Sequence, residues 1–459
     1  MKTSRSGYLL LPFCVWMITS SCRKLISVRD QRTNENIIFG FKTDSDANAA
    51  VVGIYEQMSS TAIGFSSGLQ SISLLAGLSA DELDCYSSDD KFNQFYTNNL
   101  LPANTANNTI WQGLYKSIYQ CNSVLAALQN NPLITPDFSR QLKGEALFLR
   151  SYFYFYLANL YGAIPLSLTT DYSKNDTLRQ SSPFWIYNQI TSDLISAASL
   201  LSDKYILPGE RIRVNRAGAM ALLSRIYLYA GQNAHCINAA SEVISQTGVY
   251  ELCPQLDHVF LKNSPEAILQ LQPVAPGYNT LDAETFILPA SPFIVAIRPS
   301  LLGEFDSTDL RLHQWIGQTR IGSMVYNFPY KYKHRHIEPL QEYLMVLRLA
   351  EQYLNRAEAY ALLGMTKQST EDINTIRSRA GLSLLAPPSQ NQLLQVIASE
   401  RKKELFTEWG HRWLDLKRTG AADSLMAPLK AGWRPFTQLY PIPATEILLN
   451  PHLVQNNGY

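Results

Sequence analysis

No C-x-x-C pair occurs among the six cysteines of this 459-residue chain. That excludes a zinc ribbon and a thioredoxin-type redox motif, and six cysteines are too few for a dense disulfide framework at this length. Cys14 and Cys22 lie near the N-terminus. Cys85, Cys121, Cys236 and Cys253 remain, and both one or two disulfides after export and four free buried thiols fit them. Net charge is also lacking: 39 Lys and Arg stand against 38 Asp and Glu. A chain so balanced carries no electrostatic footprint for nucleic acid. No glycine-rich phosphate loop is present, and no cofactor is implied. Past the first twenty residues, no apolar run is long enough to span a bilayer.

What is present begins with a leader. Lys2 and Arg5 precede an apolar run from Gly7 to Thr19, and Ser20-Ser21-Cys22 follows. A basic start, an apolar stretch and small residues before a cysteine read as a secretory signal peptide over 1–21, with Cys22 as the lipidated first residue. Residues 22–46 read as a polar tether.

From Ala47 the chain is helix after helix. Arg150 and Tyr154, Arg225 and Tyr229, and Arg356 and Tyr360 repeat one spacing, and Gly162, Gly231 and Gly364 follow them. Residues four apart share a helix face, and glycine commonly ends a helix. A second amphipathic segment starts soon after Gly231 and Gly364. The pattern is that of tetratricopeptide-like helical hairpins, with further pairs at 47–60 with 108–130 and 137–161 with 183–203. The expected fold class is mainly α, a helical-repeat scaffold with a loop-rich, partly irregular part. Residues 47–248 form the N-terminal repeats with a loop insertion at 61–107. Residues 249–342 form the loop-rich part, and 343–459 the last repeat and the chain end.

The stretch from Glu400 to Gly420 reads as one helix. Leu405, Phe406, Trp409, Trp413, Leu414 and Leu416 give it a broad apolar face, and Arg401, Glu404, Glu408, Arg412, Asp415 and Arg418 interrupt that face with charge. Arg401 with Glu404 and Glu408, and Arg412 with Asp415, stand at spacings that permit pairing within the helix, and these charges are expected to knit it to the loop-rich part. This segment closely resembles the C-terminal signature of the SusD/RagB family of outer-membrane nutrient-binding lipoproteins. The chain end agrees, through Tyr440-Pro441-Ile442-Pro443 and Gln455-Asn456-Asn457-Gly458-Tyr459, with Asn457 where the family usually has proline.

The resemblance runs from Cys22 to Tyr459 and implies a binding protein without enzymatic activity. It implies lipid anchoring at Cys22 in the outer membrane, facing the exterior. It implies an oligosaccharide or peptide nutrient as ligand and a SusC-like TonB-dependent transporter as partner. A repeat adaptor that binds only proteins is the alternative from another class; a glycan-processing enzyme is a third.

Three motifs invite chemistry. Gly64-Phe65-Ser66-Ser67-Gly68 fits G-x-S-x-G, but the segment before it has helical period, whereas a nucleophile elbow follows a strand. His334 and His336 form H-x-H within the basic run Lys331–Arg335. No third ligand completes a metal set, so an exposed basic edge strand is the reading adopted. Asp81, Glu82, Asp84, Asp89 and Asp90 form an acidic cluster, and nothing sets two of them across a cleft as glycoside hydrolysis requires.

The ligand surface is expected to be aromatic, since flat rings stack on the C–H faces of sugars. Phe92, Asn93, Phe95 and Tyr96 follow the Asp81-Glu82 turn. Tyr278, Phe286, Trp315 and Tyr326 lie in the second irregular region. The Asp81–Asn99 and 273–330 regions are expected to converge on one shallow site. Trp111 is left out, because Tyr115 and Ile118 place it on a core helix face.

Overall fold

The computed structural model describes residues 40–61, 64–289 and 294–459. The leader, Cys22 and most of the tether expected at 22–46 lie outside them.

Eight helices build the scaffold: α1 Asp44–Met58, α2 Thr105–Leu128, α3 Pro136–Tyr161, α4 Pro183–Leu200, α5 Arg216–Tyr229, α6 Asn233–Ile244, α7 Leu349–Leu362 and α8 Thr366–Arg379. They pack as four successive hairpins, each against the next. The fold is mainly α and tetratricopeptide-like. Local chemistry sets the ends. Thr43, Asn104 and Asn215 cap α1, α2 and α5 by accepting backbone N–H bonds on their side chains. Gly162, Gly231 and Gly364 close α3, α5 and α7 at φ of 78°, 70° and 75°, where a Cβ would be strained.

The three repeated arginines bind carboxylates across helices. Arg150 on α3 takes Asp193 on α4 at 2.8 and 2.9 Å. Arg225 on α5 takes Glu351 on α7 at 2.6 Å through both nitrogens. Arg356 on α7 takes Asp372 on α8 at 2.8 and 2.7 Å. Bidentate pairs of this kind fix direction as well as distance, and so hold the helices in register.

The 400–420 stretch is not one helix. It divides into α9, Gln390–Leu405, and α10, His411–Arg418. Between them Thr407, Trp409 and Gly410 take left-handed φ of 52°, 49° and 70°. The break is stabilised from outside. Lys331 Nζ donates to the carbonyls of Glu404 and Phe406 at 2.8 and 2.9 Å. Arg348 also donates to the Glu404 carbonyl, at 2.7 Å. Carbonyls that a helix end leaves open are thus met by buried cations instead of another turn. Trp409 turns inward and donates from Nε1 to the Met345 carbonyl at 2.6 Å.

The 61–107 stretch is more ordered than its serines suggest. All eight residues of the helix Ile72–Ser79 are buried. Strand β1 (Leu83–Cys85) and the helix Asp90–Tyr96 follow. The serines satisfy backbone and side-chain groups: Ser71 caps the first of these helices, and Ser79 bonds the Tyr440 hydroxyl at 2.9 Å.

The remaining strands are β2 Ile164–Pro165, β3 Gln180–Ser181, β4 Ala267–Leu271, β5 Val295–Ile297, β6 Ile316–Ile321, β7 Met324–Pro329 and β8 Leu344–Arg348. They form four antiparallel pairs, β1–β5, β2–β3, β4–β8 and β6–β7. One hydrophobic core extends from Phe41 to Leu453 and includes Trp111. Cys85, Cys121, Cys236 and Cys253 are free thiols.

The chain end is a strap over the end of α3. Tyr440 N–H donates to the Leu160 carbonyl at 2.7 Å. Gln455 bonds both backbone groups of Ile442 at 2.8 Å. Asn456 Nδ2 donates to the carbonyls of Tyr161 and Tyr440 at 2.9 and 2.8 Å. The Tyr459 hydroxyl closes on the Leu439 carbonyl at 2.7 Å. Each polar residue of the Gln-Asn-x-Gly-Tyr ending therefore satisfies a backbone group that the fold would otherwise leave open.

Candidate functional site

The two irregular regions meet at β1 and β5. Leu83 pairs with Ile297, Asp84 with Ala296 and Cys85 with Val295, and Tyr86 N–H extends the ladder to the Ile294 carbonyl at 2.7 Å. Alternation places Asp84 and Tyr86 on one side. The hairpin β6–β7 packs beside β5 and brings Tyr326 edge-on to Tyr86, with ring centroids 5.5 Å apart and planes at 83°. Tyr86 is 48% exposed, an open ring face on a rigid strand end.

Polar groups surround this pair. Asp84 accepts from the Tyr96 hydroxyl at 3.1 Å and pairs with Arg298 at 3.2 Å. The Arg298 guanidinium lies 5.7 Å from the Tyr96 ring centroid, and Lys430 Nζ lies 4.4 Å from it. Asn93 Nδ2 donates to the Ser87 carbonyl at 2.9 Å and fixes the turn after Tyr86. The exposed Tyr86 ring thus stands beside the Asp84 carboxylate, the Tyr96 hydroxyl and the Arg298 guanidinium, an arrangement suited to a flat, hydroxylated ligand.

Of the residues expected in the site, Tyr96, Tyr326 and Asn93 take part in this face. Phe92, Phe95, Phe286 and Trp315 do not, because they are buried core. Phe92 and Phe95, three apart on a short helix, both turn inward, and Phe95 packs edge-on against Tyr440 at 5.2 Å. Trp315 is 0% exposed and donates to the Leu256 carbonyl at 3.1 Å. Tyr278 stands against His336, with ring centroids 4.5 Å apart. Tyr86 and Arg298 escaped the sequence reading. Tyr86 had one signal, its alternation with Asp84.

The other motifs resolve into structure. Ser66 is buried and its hydroxyl donates to the Met58 carbonyl. Residues 331–336 form no strand, and Lys331, expected exposed, is buried against the Phe406 ring at 4.0 Å. His336 bonds Glu284 at 3.3 Å. Among the described residues no group of three or more His, Cys, Asp or Glu could hold a metal. Asp81 accepts from Arg412 at 2.8 and 2.9 Å and from Lys402 at 2.8 Å. Asp89 caps the Asp90–Tyr96 helix.

The charges of 400–418 tie this segment to the loop-rich part, Glu404 to Arg311 and Glu408 to Lys331, in place of the pairs that spacing permits within it. Arg401 binds Asp415 at 2.8 and 3.2 Å and Asn355 at 2.8 Å, and Arg412 binds Asp81. Glu404 receives Arg348, Arg379 and Arg311.

Two buried carboxyls, Asp282 and Glu82, are pushed toward their protonated form. Burial, with a smaller push from Glu408, raises Asp282 to about 8. Burial and the Asp81 charge raise Glu82 to about 8. An acid raised this way binds its proton in the folded state, while the unfolded chain releases it from about pH 4 upward. Its contribution is fully present below that and is lost as pH rises to about 8. Asp282→Asn should therefore flatten the fall in stability between pH 5 and 7 by up to about 1.4 kcal/mol per pH unit. Urea unfolding at pH 5, 6 and 7 checks this, and parallel curves for variant and parent would refute it.

Residues 70–228 match the SusD-like family model described as starch-binding and associating with the outer membrane, and residues 317–459 match the SusD family model. The chain belongs to the SusD/RagB family. Its second matched segment contains β6, β7, the α9–α10 break and the strap. Among curated relatives, SusD-like protein P2 of Formosa agariphila is 25% identical, with 91% of this chain and 93% of that one covered. A laminarin-binding SusD-like protein of known structure is 25% identical, with a TM-score of 0.79 over 91% of this chain and all of that one. Surface glycan-binding protein A of Bacteroides thetaiotaomicron, solved with laminarihexaose, shares the fold at 20% identity and a TM-score of 0.77, covering 90% of this chain and all of that one. Among the described residues no helix is long and apolar enough to cross a membrane.

Proposed function

We propose that this protein is a lipid-anchored receptor of the outer membrane that captures an oligosaccharide and delivers it to a SusC-like TonB-dependent transporter. The observation that carries the proposal is the exposed Tyr86 ring, set edge-on to Tyr326 with Asp84, Tyr96 and Arg298 beside it. Ring faces take the C–H surface of a sugar, and the polar atoms take its hydroxyls. The laminarin-binding relative makes a neutral glucan the first ligand to try. No bond is made or broken in this reading, which is consistent with the Ser66 hydroxyl and the Asp81 carboxylate both being committed inside the protein.

Calorimetric titration with laminarihexaose should give saturable binding. Tyr86→Ala or Tyr326→Ala should weaken it about tenfold, roughly 1.4 kcal/mol. Equal affinity in all three proteins would place the ligand elsewhere.

Anchor and partner have separate tests. Cys22→Ala should move the protein from the membrane to the soluble fraction, and retention after a carbonate wash would remove Cys22 from the proposal. Gentle detergent extraction should bring a large outer-membrane barrel with the chain. Recovery as a monomer, where related complexes survive, would remove the transporter.

A further inference from the structure

A second concavity opens far from the Tyr86 face in sequence and in lining. It lies where α3 and α5 end and the C-terminal strap folds back, and its volume is about 940 Å³. That is near the upper end of the range, roughly 300–1,000 Å³, for small-molecule sites. Phe184 lines its edge at 64% exposed, and the adjacent Trp185 is 62% exposed. Their rings meet edge-on at 5.2 Å. Two large rings standing in water beside a groove mark a contact surface.

Three amides stand free in the polar lining. The side-chain amides of Asn188, Gln232 and Asn457 line the groove, are exposed and make no hydrogen bond within the described protein. An amide donates and accepts at once, as adjacent sugar hydroxyls do.

Lys417 adds charge. Its ammonium donates to the Asn159 carbonyl and lies 5.4 Å from the Trp413 ring centroid. No described carboxylate forms an ion pair with it. The other cation of the lining, Arg418, is committed to Glu358 at 2.6 and 2.7 Å and to Asp415 at 2.8 Å. Burial alone holds the Lys417 ammonium down at about 7. A half-buried cation without a counter-charge gains most from an anionic partner.

We propose that this groove is a second carbohydrate site, for an acidic oligosaccharide whose carboxylate or sulfate group pairs with Lys417 while its sugar faces rest on Phe184 and Trp185. The inference extends the glycan-binding reading in ligand class and uses none of the same residues.

The test titrates the mature chain with tetragalacturonate and with a sulfated tetrasaccharide. At least one should bind, more weakly as salt is raised. Lys417→Gln and the Phe184→Ala, Trp185→Ala double variant should each weaken that binding at least tenfold. Lys417→Arg should restore most of it, and Tyr86→Ala should leave it unchanged. The exposed pair can be changed without touching the core, which keeps the test valid if Lys417→Gln unfolds. Binding of neither probe overturns the proposal. So does unchanged affinity in the aromatic double variant, or equally tight binding of hexaglutamate, which would mark a mere anion surface. Loss of laminarihexaose binding with acidic binding intact would overturn the Tyr86 face and leave the groove standing.

Discussion

Glu404→Ala should destabilise the protein by roughly 3–5 kcal/mol, the usual cost of breaking a buried ion pair by removing one partner. Glu404 is fully buried and accepts from Arg348 at 2.6 Å, from Arg311 at 3.3 Å and from Arg379. Removing its carboxylate leaves three guanidinium groups in the interior with too little negative charge. Arg348 keeps Glu266 and Glu408, and Arg311 keeps Asp309 and Glu400, so the network weakens without vanishing. The three cations hold the Glu404 carboxyl far below its ordinary range. Its stabilisation is thus present above the ordinary carboxylate pKa and is lost only in acid. Glu404→Gln, which retains hydrogen-bonding atoms, should fall between parent and alanine variant. Urea unfolding at pH 7 measures all three. A loss below about 1 kcal/mol for Glu404→Ala would mean that the remaining acids compensate in full.

The second large effect separates core from surface. Trp315→Ala should cost roughly 3–5 kcal/mol, the range for deleting a buried large aromatic side chain. The indole fills space against Phe260 at 5.7 Å and lies under Lys331 at 4.9 Å. Laminarihexaose affinity, measured well below the variant's melting temperature, should match the parent. Tyr86→Ala should do the reverse and lose affinity at an unchanged melting temperature. If Trp315→Ala instead keeps its stability and loses binding, the face described at Tyr86 is not the site.

These two residues show what sequence carries and what it leaves out. The hairpins were legible because their signals are local. An arginine and a tyrosine four apart and a glycine after them need no knowledge of the rest of the chain. The aromatic loops were not legible in the same way. Phe95, Trp315 and Tyr86 all stand in polar, irregular sequence, and only packing from distant segments decides which ring is covered. Phe95 is covered by Tyr440, and Trp315 by residues on both sides of the 300 region.

The charged stretch fails for a related reason. Helical spacing offered Arg412 a partner three residues away, but its acid is Asp81, 331 positions distant. The α9–α10 break is equally invisible to periodicity, since Lys331 and Arg348 supply what the missing turn would have bonded.

The strap over α3 has a consequence for truncation. A variant lacking Gln455 to Tyr459 loses the Asn456 amide from the carbonyls of Tyr161 and Tyr440, and both backbone groups of Ile442 lose Gln455. Every helix of the scaffold is still encoded in it, but the latch that ties the end of α3 to the segment around Tyr440 is gone.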